Sequence, residues 1–279
     1  MAGNTPFVPV IDGDFIATHP TDQLNAGTFV KVPLLIGTNS DEGSIFGTYG
    51  IQNDAEFTAA VNSTTFPSTL SSYINNAIAY LYPDVQAIGV PSLETYPDLL
   101  SPNNPLVATL GRQARRSFAF FGDLIFHAPR RAANTAWSNS GVPSYSYCFD
   151  VTPANVPTYL GARHFAEVAF VFDTTDLNFY DGAPFPNATE PEKRNAYVNV
   201  ASFMSRSWVG FIARGNPNAN GFANVSAWEV YNATMGGGVG RNMVLTAVGE
   251  GLSSYVEDDT FREEGISFLT QHAKSVWGR

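Results

Sequence analysis

Two kinds of apolar pattern alternate along the chain, short continuous runs and helical repeats. The run at 32–36, closed by Gly37, predicts a strand that is buried on both faces, as in a parallel sheet. A run rich in β-favouring residues at 144–149 predicts a second strand. A strand is also predicted at 243–248, followed by another element of unassigned type at 252–256. Runs of this kind that alternate with helices are typical of an α/β fold.

Helical spacing is clearest over 191–214, where apolar side chains recur at positions i, i+3, i+4 and i+7. Pro191 suits the first turn of this helix, and Gly215 ends the pattern. Thr189 and Glu192 match a capping box. Further helices are predicted over 54–82, 107–120, 129–140 and 259–273, with a Pro-rich surface connection over 83–105.

The composition is that of a folded protein, since 44% of the 279 residues are apolar and 14% are charged. The length fits one large α/β domain or two ordinary ones. The net charge of −10, without any basic run, argues against a nucleic-acid partner or an anionic membrane surface. No apolar stretch reaches the roughly 18 residues of a membrane span. The first residues lack the basic and apolar regions of a signal peptide, so none is expected in this chain.

Several common kinds of site are disfavoured by the residues present. Cys148 is the single cysteine, which excludes an intrachain disulfide and a Cys-rich zinc site, and its place in a predicted strand indicates an inert, buried thiol. The phosphate-binding motif G-x-x-x-x-G-K-[ST] and the zinc motif H-E-x-x-H do not occur. The glycine-rich run 235–240 predicts a turn. The acidic residues between 257 and 264 predict a solvated helix start rather than a Ca²⁺ site, because acids favour a helix N-terminus.

His164 and Glu42 stand out among the residues that could carry chemistry, because each follows a predicted buried strand. The carboxyl ends of parallel strands meet at one crevice, so an acid and a histidine from two such loops can form a hydrogen bond there. The acid would then fix the tautomer of the imidazole and stabilise its charged form. Two unrelated surface loops are the alternative. Of the other histidines, we expect His127 to be packed and His19 and His272 to be exposed.

Three stretches of the chain resemble the type-B carboxylesterase/lipase family, the cholinesterase-like branch of the α/β hydrolases in a fungal form. They are residues 7–13, residues 32–43 with the ending Gly-Thr-Asn-Ser-Asp-Glu-Gly, and residues 161–172 beginning Gly-Ala-Arg-His. The stretch 203–228 also fits. The resemblance implies that residues 1–279 form the C-terminal portion of an α/β-hydrolase fold, with parallel central strands, covering helices and a helical cap region over 54–120.

The same resemblance implies roles for individual residues. Glu42 would be the acid of a catalytic triad and His164 the general base, which takes a proton from a serine hydroxyl and returns it to the departing alcohol. Glu167 matches a supporting acidic position just after the histidine. Phe165 stands where many members have glycine, which implies a different backbone path after His164. The whole enzyme would hydrolyse a small-molecule or lipid ester without a metal or organic cofactor.

One part of the family pattern is missing from the sequence. In the family, the nucleophilic serine lies in a G-x-S-x-G motif that comes before the acid in the chain. No serine of this chain lies in such a motif. The glycine-rich oxyanion loop is absent as well. We therefore expect the nucleophile-bearing half to be absent and the chain alone to be inactive. A non-catalytic binding or adhesion protein and a truncated product without function are the alternatives. The incomplete sheet predicts an exposed apolar face and self-association.

Four N-x-[ST] sequons are candidate N-glycosylation sites, at Asn62, Asn187, Asn224 and Asn232. Their number is close to chance in a chain so rich in Asn, Ser and Thr, so they are weak signs of secretion. The resemblance itself implies an extracellular location for the full-length protein.

Overall fold

The computed structural model of the protein describes residues 9–65, 68–176, 182–223, 225–233, 240–249 and 252–278. Its centre is a four-stranded sheet in the order β1-β2-β3-β4. The strands β1 (Leu34–Asn39), β2 (Ser144–Asp150) and β3 (Arg241–Thr246) are parallel, and β4 (Tyr255–Asp258) is antiparallel to β3. The helices of the described residues surround this sheet: α1 (Pro20–Ala26), α2 (Gly43–Phe46), α3 (Asp54–Asn62), α4 (Ser72–Leu81), α5 (Leu106–Leu110), α6 (Ala114–Gly122), α7 (Ala128–Asn139), α8 (Val168–Val171), α9 (Pro191–Arg214) and α10 (Glu263–Trp277).

The register of the sheet places two loop starts side by side. Asn39, the last residue of β1, pairs with Phe149 of β2, and Asp150 pairs with Thr246 of β3. Because the parallel strands end at the same edge, the turn after β1 and the loop after β2 begin next to each other. These are the two segments that carry Glu42 and His164.

The predicted strand 144–149 and the predicted helix 191–214 are confirmed. The first strand covers Leu34–Asn39 rather than 32–36, so Gly37 lies inside it, and its first four residues are partly buried rather than fully buried. Its pairing with the chain before β2 begins at Leu34, whose N–H donates to the carbonyl oxygen of Pro143. The capping box at the start of α9 is wrong: Glu190 is the N-cap residue, and no side chain caps the helix. The last three elements are shifted from their predicted bounds: β3 lies two residues earlier than 243–248, β4 begins three residues later than 252–256, and α10 begins four residues later than 259–273.

The predicted helix 107–120 is divided into α5 and α6. The break lies where the backbone bonds to another segment: the N–H of Gly50 donates to Leu110, and the N–H of Gln113 donates to Ile51. After the break the chain remains helical from α6 to α7, through one π-helical turn at Asp123–His127. A π turn contains one residue more than an α-helical turn, so it changes the direction in which the following side chains point.

Two clusters of buried apolar side chains hold the layers together. One joins α3, α4, α6 and α10 and includes Phe57 and Phe120. The other joins β2, β3, α8 and α9 and includes Phe149, Phe170 and Met204. Each large side chain removed from water in this way contributes about 1.5–3 kcal/mol. The second cluster fixes the sheet against α9 and thereby supports the strand ends.

The prediction of a solvated acidic helix start is confirmed for Glu263 and Glu264, which are exposed in the first turn of α10, but it is wrong for Asp259. Asp259 is fully buried and forms ion pairs with Arg130 and Arg131, the latter at 2.7 Å, and Tyr231 donates a hydrogen bond to it at 2.9 Å. The ion pairs hold the pKa of Asp259 far below its ordinary value although burial alone would raise it. The burial of Asp259 is thus explained by arginines on α7, far away in the sequence.

Cys148 lies buried in β2, as predicted, and burial raises the pKa of its thiol well above the ordinary value. A neutral thiol in such a place is a poor nucleophile. Among the described residues, no helix combines the length and the apolar character needed to span a bilayer.

Candidate active site

Glu42 lies in the turn after β1, at the start of α2, and its carboxylate is almost completely buried. The backbone N–H of Asn39 donates to its Oε1 at 2.9 Å. Gly43 allows this turn to approach α6: a Cβ at Gly43 would lie 1.8 Å from the carbonyl oxygen of Phe118 and 2.7 Å from the nitrogen of Gly122. The glycine of the Asp-Glu-Gly sequence is therefore required by close packing against α6, and this packing fixes the turn that carries Glu42.

His164 lies at the end of the loop that follows β2, and its Nδ1 is 2.7 Å from Oε2 of Glu42. The imidazole is 41% exposed, whereas the glutamate side chain is 6% exposed. The hydrogen bond to Glu42 raises the pKa of His164, and burial opposes this. A buried carboxylate thus holds Nδ1 and leaves the other ring nitrogen, Nε2, for a reaction partner.

The loop that carries His164 fits closely onto the turn of Glu42. Gly161 has a φ of +59°, and a Cβ on it would lie 2.0 Å from Oδ2 of Asp41. The next residue, Ala162, donates its backbone N–H to the same Oδ2 at 2.9 Å. The glycine of Gly-Ala-Arg-His is therefore required both by its backbone conformation and by this contact.

Aromatic rings flank the imidazole. The ring of Phe46 meets His164 edge-on with a centroid distance of 5.1 Å, and the ring of Phe126 lies 4.9 Å away. Phe165 has a φ of +72°, which is rare for a bulky residue, and its side chain is 59% exposed. The residue that stands in place of the expected glycine therefore has a positive φ and adds an exposed ring next to the histidine.

Glu167 lies behind the histidine and accepts a hydrogen bond of 2.6 Å from Nδ2 of Asn39. Burial raises the pKa of this carboxyl group, and the Asn39 amide opposes that effect. Sequence reasoning identified Glu42, His164 and Glu167 but missed Asn39 and Asp41. The available signal was their position, since both lie in the same six-residue motif, Gly-Thr-Asn-Ser-Asp-Glu.

The remaining histidines lie elsewhere. His127 is buried in the π turn, as predicted, with Nδ1 2.9 Å from the hydroxyl of Thr38, and burial lowers its pKa well below the ordinary value. His19 caps α1, where its side chain accepts the N–H of Thr21. His272 packs against Phe268 on α10. Both are partly buried rather than exposed, because each contacts its own helix.

The sequons differ in accessibility. Asn187 is exposed before α9, whereas Nδ2 of Asn62 donates to the carbonyl oxygen of Thr58 at 2.8 Å. Asn232 is partly buried. Asn224 and most of the glycine-rich run, 235–239, lie outside the described residues.

Within the part of the chain that the structure describes, the side chain of His164 has one hydrogen bond, the one to Glu42. No cluster of three potential metal ligands occurs in the same residues. The site therefore consists of an acid and a base, and it contains no serine or cysteine hydrogen-bonded to the described imidazole.

Comparisons with known proteins identify a family for the chain. The sequence model of the Carboxylesterase family matches residues 1–239. Acetylcholinesterase of Electrophorus electricus is 26% identical over 282 residues, and that of Danio rerio is 27% identical over 278. These alignments cover 89% and 88% of the chain but 41% of each relative, so the chain spans about two fifths of their length.

The fold has a solved counterpart in EstA of Aspergillus niger, with a TM-score of 0.69. The match covers 97% of the chain and 46% of EstA, at 19% sequence identity. At that identity the likeness shows the fold, and it confirms the fold class predicted from the sequence.

Proposed function

Because the chain belongs to the carboxylesterase family, we propose that it provides the acid and the general base of a carboxylic ester hydrolase. The observation that carries the proposal is the hydrogen bond of 2.7 Å between Oε2 of Glu42 and Nδ1 of His164. General-base catalysis requires a buried acid beside a partly exposed imidazole. Here the segments that follow β1 and β2 hold these two groups next to each other.

In the proposed reaction, Nε2 of His164 takes the proton of a serine hydroxyl as the serine oxygen attacks the carbonyl carbon of the ester. The imidazolium, which Glu42 stabilises through Nδ1–H, then gives its proton to the alcohol oxygen as the carbon–oxygen bond breaks. Water repeats the two steps on the acyl-serine and releases the acid. Glu167 supports the pair through its negative charge, which also favours a protonated His164.

We assign the nucleophile to polypeptide outside these 279 residues, because no G-x-S-x-G motif occurs in them. The chain alone would then be inactive, since loss of the nucleophile removes nearly all of the rate that a triad provides. The substrate would be a small-molecule or lipid ester, and the complete protein would be extracellular. Residues 54–120, which contain α3 to α5 and most of α6, would form the cap beside the site.

A non-catalytic binding protein with the same fold is disfavoured by the acid–base pair. Burial of the Glu42 carboxylate is unfavourable in free energy, and a binding surface alone would not require it. The open edge of β1, which in the described sheet pairs with β2 alone, would be the site of self-association.

The acid–base pair can be tested without turnover by NMR titration of the imidazole. In the native chain, the pKa of His164 should lie above 6.5, and in Glu42→Gln it should fall, because the carboxylate that favours the charged ring is gone. Histidine-to-glutamine variants assign the four imidazole signals. An identical titration in both proteins would contradict the proposed roles of Glu42 and His164.

The location of the nucleophile needs a separate experiment. The 279-residue chain is incubated with diisopropyl fluorophosphate and analysed by mass spectrometry. We expect no stoichiometric serine adduct and no burst of p-nitrophenol from a p-nitrophenyl ester. An adduct that forms in the native chain and not in His164→Ala would contradict the external nucleophile. N-terminal sequencing of the protein from its source would show whether a G-x-S-x-G segment belongs to the same polypeptide.

A further inference from the structure

The hydrogen bond between Glu42 and His164 is accompanied by a second link between the same two segments. Asn39, the last residue of β1, donates its side-chain Nδ2 to the carbonyl oxygen of Arg163 at 2.8 Å and to Oε2 of Glu167 at 2.6 Å. The backbone N–H of Asn39 donates to Oε1 of Glu42 at 2.9 Å. One residue therefore contacts the acid and, on the other segment, residues on both sides of the base.

The two acceptors determine how the Asn39 amide is oriented. A carbonyl oxygen and a carboxylate both need a donor, so only the NH₂ group can serve them. As a result, Oδ1 of Asn39 is buried and has no hydrogen-bond partner among the described residues. A buried acceptor without a partner is unfavourable, so the residue is poorly explained by stability alone. Its position is explained by the geometry that it imposes on the two segments.

Two other side chains of this turn also bind the loop, but at a greater distance from the pair. Asp41 accepts the N–H of Ala162 at 2.9 Å, and the hydroxyl of Ser44 donates to the carbonyl oxygen of Leu160 at 2.7 Å. Both contacts fix the loop before residue 163. Among the described residues, Asn39 is the one that joins the acid to the segment immediately around the histidine.

We propose that Asn39 is the positioning residue that fixes Glu42 and His164 relative to each other. The inference rests on the proposed function, because it assigns the geometry of that acid–base pair to a third residue. Without the amide, Arg163 and Glu167 lose the hydrogen bonds that join them to Asn39 at the end of β1. The hydrogen bond between Glu42 and His164 is then formed in a smaller fraction of the molecules, although both partners are still present.

The test measures the pair directly in the 279-residue chain by NMR. In Asn39→Ala we expect the Nδ1 proton of His164 to exchange with water at least about 10-fold faster and the pKa of His164 to fall by about 0.5. Asn39→Asp keeps the shape of the side chain but removes both N–H donors of the side-chain amide. In this variant the Nδ1 proton of His164 should also exchange faster than in the native chain. The second variant keeps the test conclusive if Asn39→Ala folds poorly.

A matched control separates positioning from a general loss of stability. Ser71→Ala removes the N-cap of α4, where the serine side chain accepts the N–H of Ile74, and it lies in a different part of the fold. This variant should leave both readouts of His164 unchanged. If Ser71→Ala reproduces the faster exchange, or if both Asn39 variants behave like the native chain, Asn39 is not a positioning residue.

Glu42→Gln, measured in parallel, distinguishes the two proposals. If it lowers the pKa of His164 while the Nδ1 proton of His164 exchanges at the native rate in both Asn39 variants, the positioning role is overturned and the proposed function stands. If it too leaves the pKa and the exchange rate unchanged, the acid–base pair is absent from solution, and the proposed function itself is contradicted.

Discussion

The carboxylate of Asp41 and the backbone N–H of Ala162 are joined by a hydrogen bond of 2.9 Å, although 121 residues separate them along the chain. The N–H of Asp41 donates back to the carbonyl oxygen of Ala162 at 3.2 Å. Burial, together with the charge of nearby Asp150, raises the pKa of Asp41 to about 7. The folded protein therefore keeps a proton on Asp41 at pH values where the unfolded chain has released it.

From this pKa we expect Asp41 to make the protein less stable as the pH rises from about 4 to about 7, because in that window the native state binds more protons than the unfolded state. Asp41→Asn keeps the position neutral at every pH. The unfolding free energy of the variant, relative to the native chain, should thus increase by more than about 1 kcal/mol across the window. Urea unfolding at four pH values measures the difference. A difference that is independent of pH would contradict the raised pKa.

Gly43→Ala should destabilise the protein by about 1–3 kcal/mol, because the added Cβ would lie 1.8 Å from the carbonyl oxygen of Phe118 and a backbone atom cannot easily move aside. Gly141→Ala is the control: it has a positive φ of +66° but no atom within 4 Å of its added Cβ, so it carries the conformational cost alone. Thermal unfolding compares the two. Because Gly43 lacks a positive φ, a loss in Gly43→Ala reports the contact, and an unchanged stability of this variant would show that the contact with α6 is unimportant.

Asp259→Ala should destabilise the protein by about 3–5 kcal/mol, because two buried guanidinium groups lose their common partner. The matched control is Asp22→Ala, which removes the exposed ion pair with Lys274 and should cost at most about 1 kcal/mol. Denaturant unfolding at neutral pH measures both. A small effect at Asp259 would mean that the arginines find other partners or water.

Among the described sequons, Asn187 should carry a glycan when the chain is secreted by a glycosylating host, because it is exposed in a turn. Asn62 should stay unmodified, since Nδ2, the atom to be glycosylated, is bonded within the fold. Mass spectrometry before and after glycosidase treatment tests this with Asn187→Gln and Asn62→Gln. A glycan that disappears only in Asn62→Gln would reverse the assignment.

The edge of β1 should cause the isolated chain to associate in a concentration-dependent manner, because in the described sheet β1 pairs with β2 alone and its other side can pair with another strand. Sedimentation velocity over a 100-fold concentration range would show the association, and dilution should reverse it. A single monomeric species at all concentrations would contradict the expectation.

The sequence predicted the elements that depend on a local apolar pattern. It also indicated Glu42 and His164, which lie in recognisable motifs. The strand 144–149 and the helix 191–214 have clear apolar periods, and Glu42 and His164 follow strand ends, so each could be placed without knowledge of distant partners. Asp259 could not, because its environment is set by arginines about 130 residues away, and a run of acids ordinarily indicates a solvated surface.

Asn39 and Asp41 illustrate a related limit. Their residue types suit a turn after a strand, which is sufficient to explain them from sequence. Their second task, to hold the backbone around 162–163, follows only from the close approach of the loop after β2. The motif marks the position of these two residues, but their contacts with residues 162 and 163 depend on tertiary structure and cannot be derived from the motif alone.

The π-helical turn at Asp123–His127 joins α6 to α7 in one continuous helix. It determines the angle about the helix axis between the side chains of α6 and those of α7. Upstream, α6 supports the acid turn through Phe118; downstream, α7 directs Arg130 and Arg131 to Asp259. Each residue of an α-helix advances the side-chain direction by about 100°, so a one-residue insertion or deletion in this turn would misdirect every side chain beyond it. This segment is consequently constrained in its length as well as in the identity of its residues.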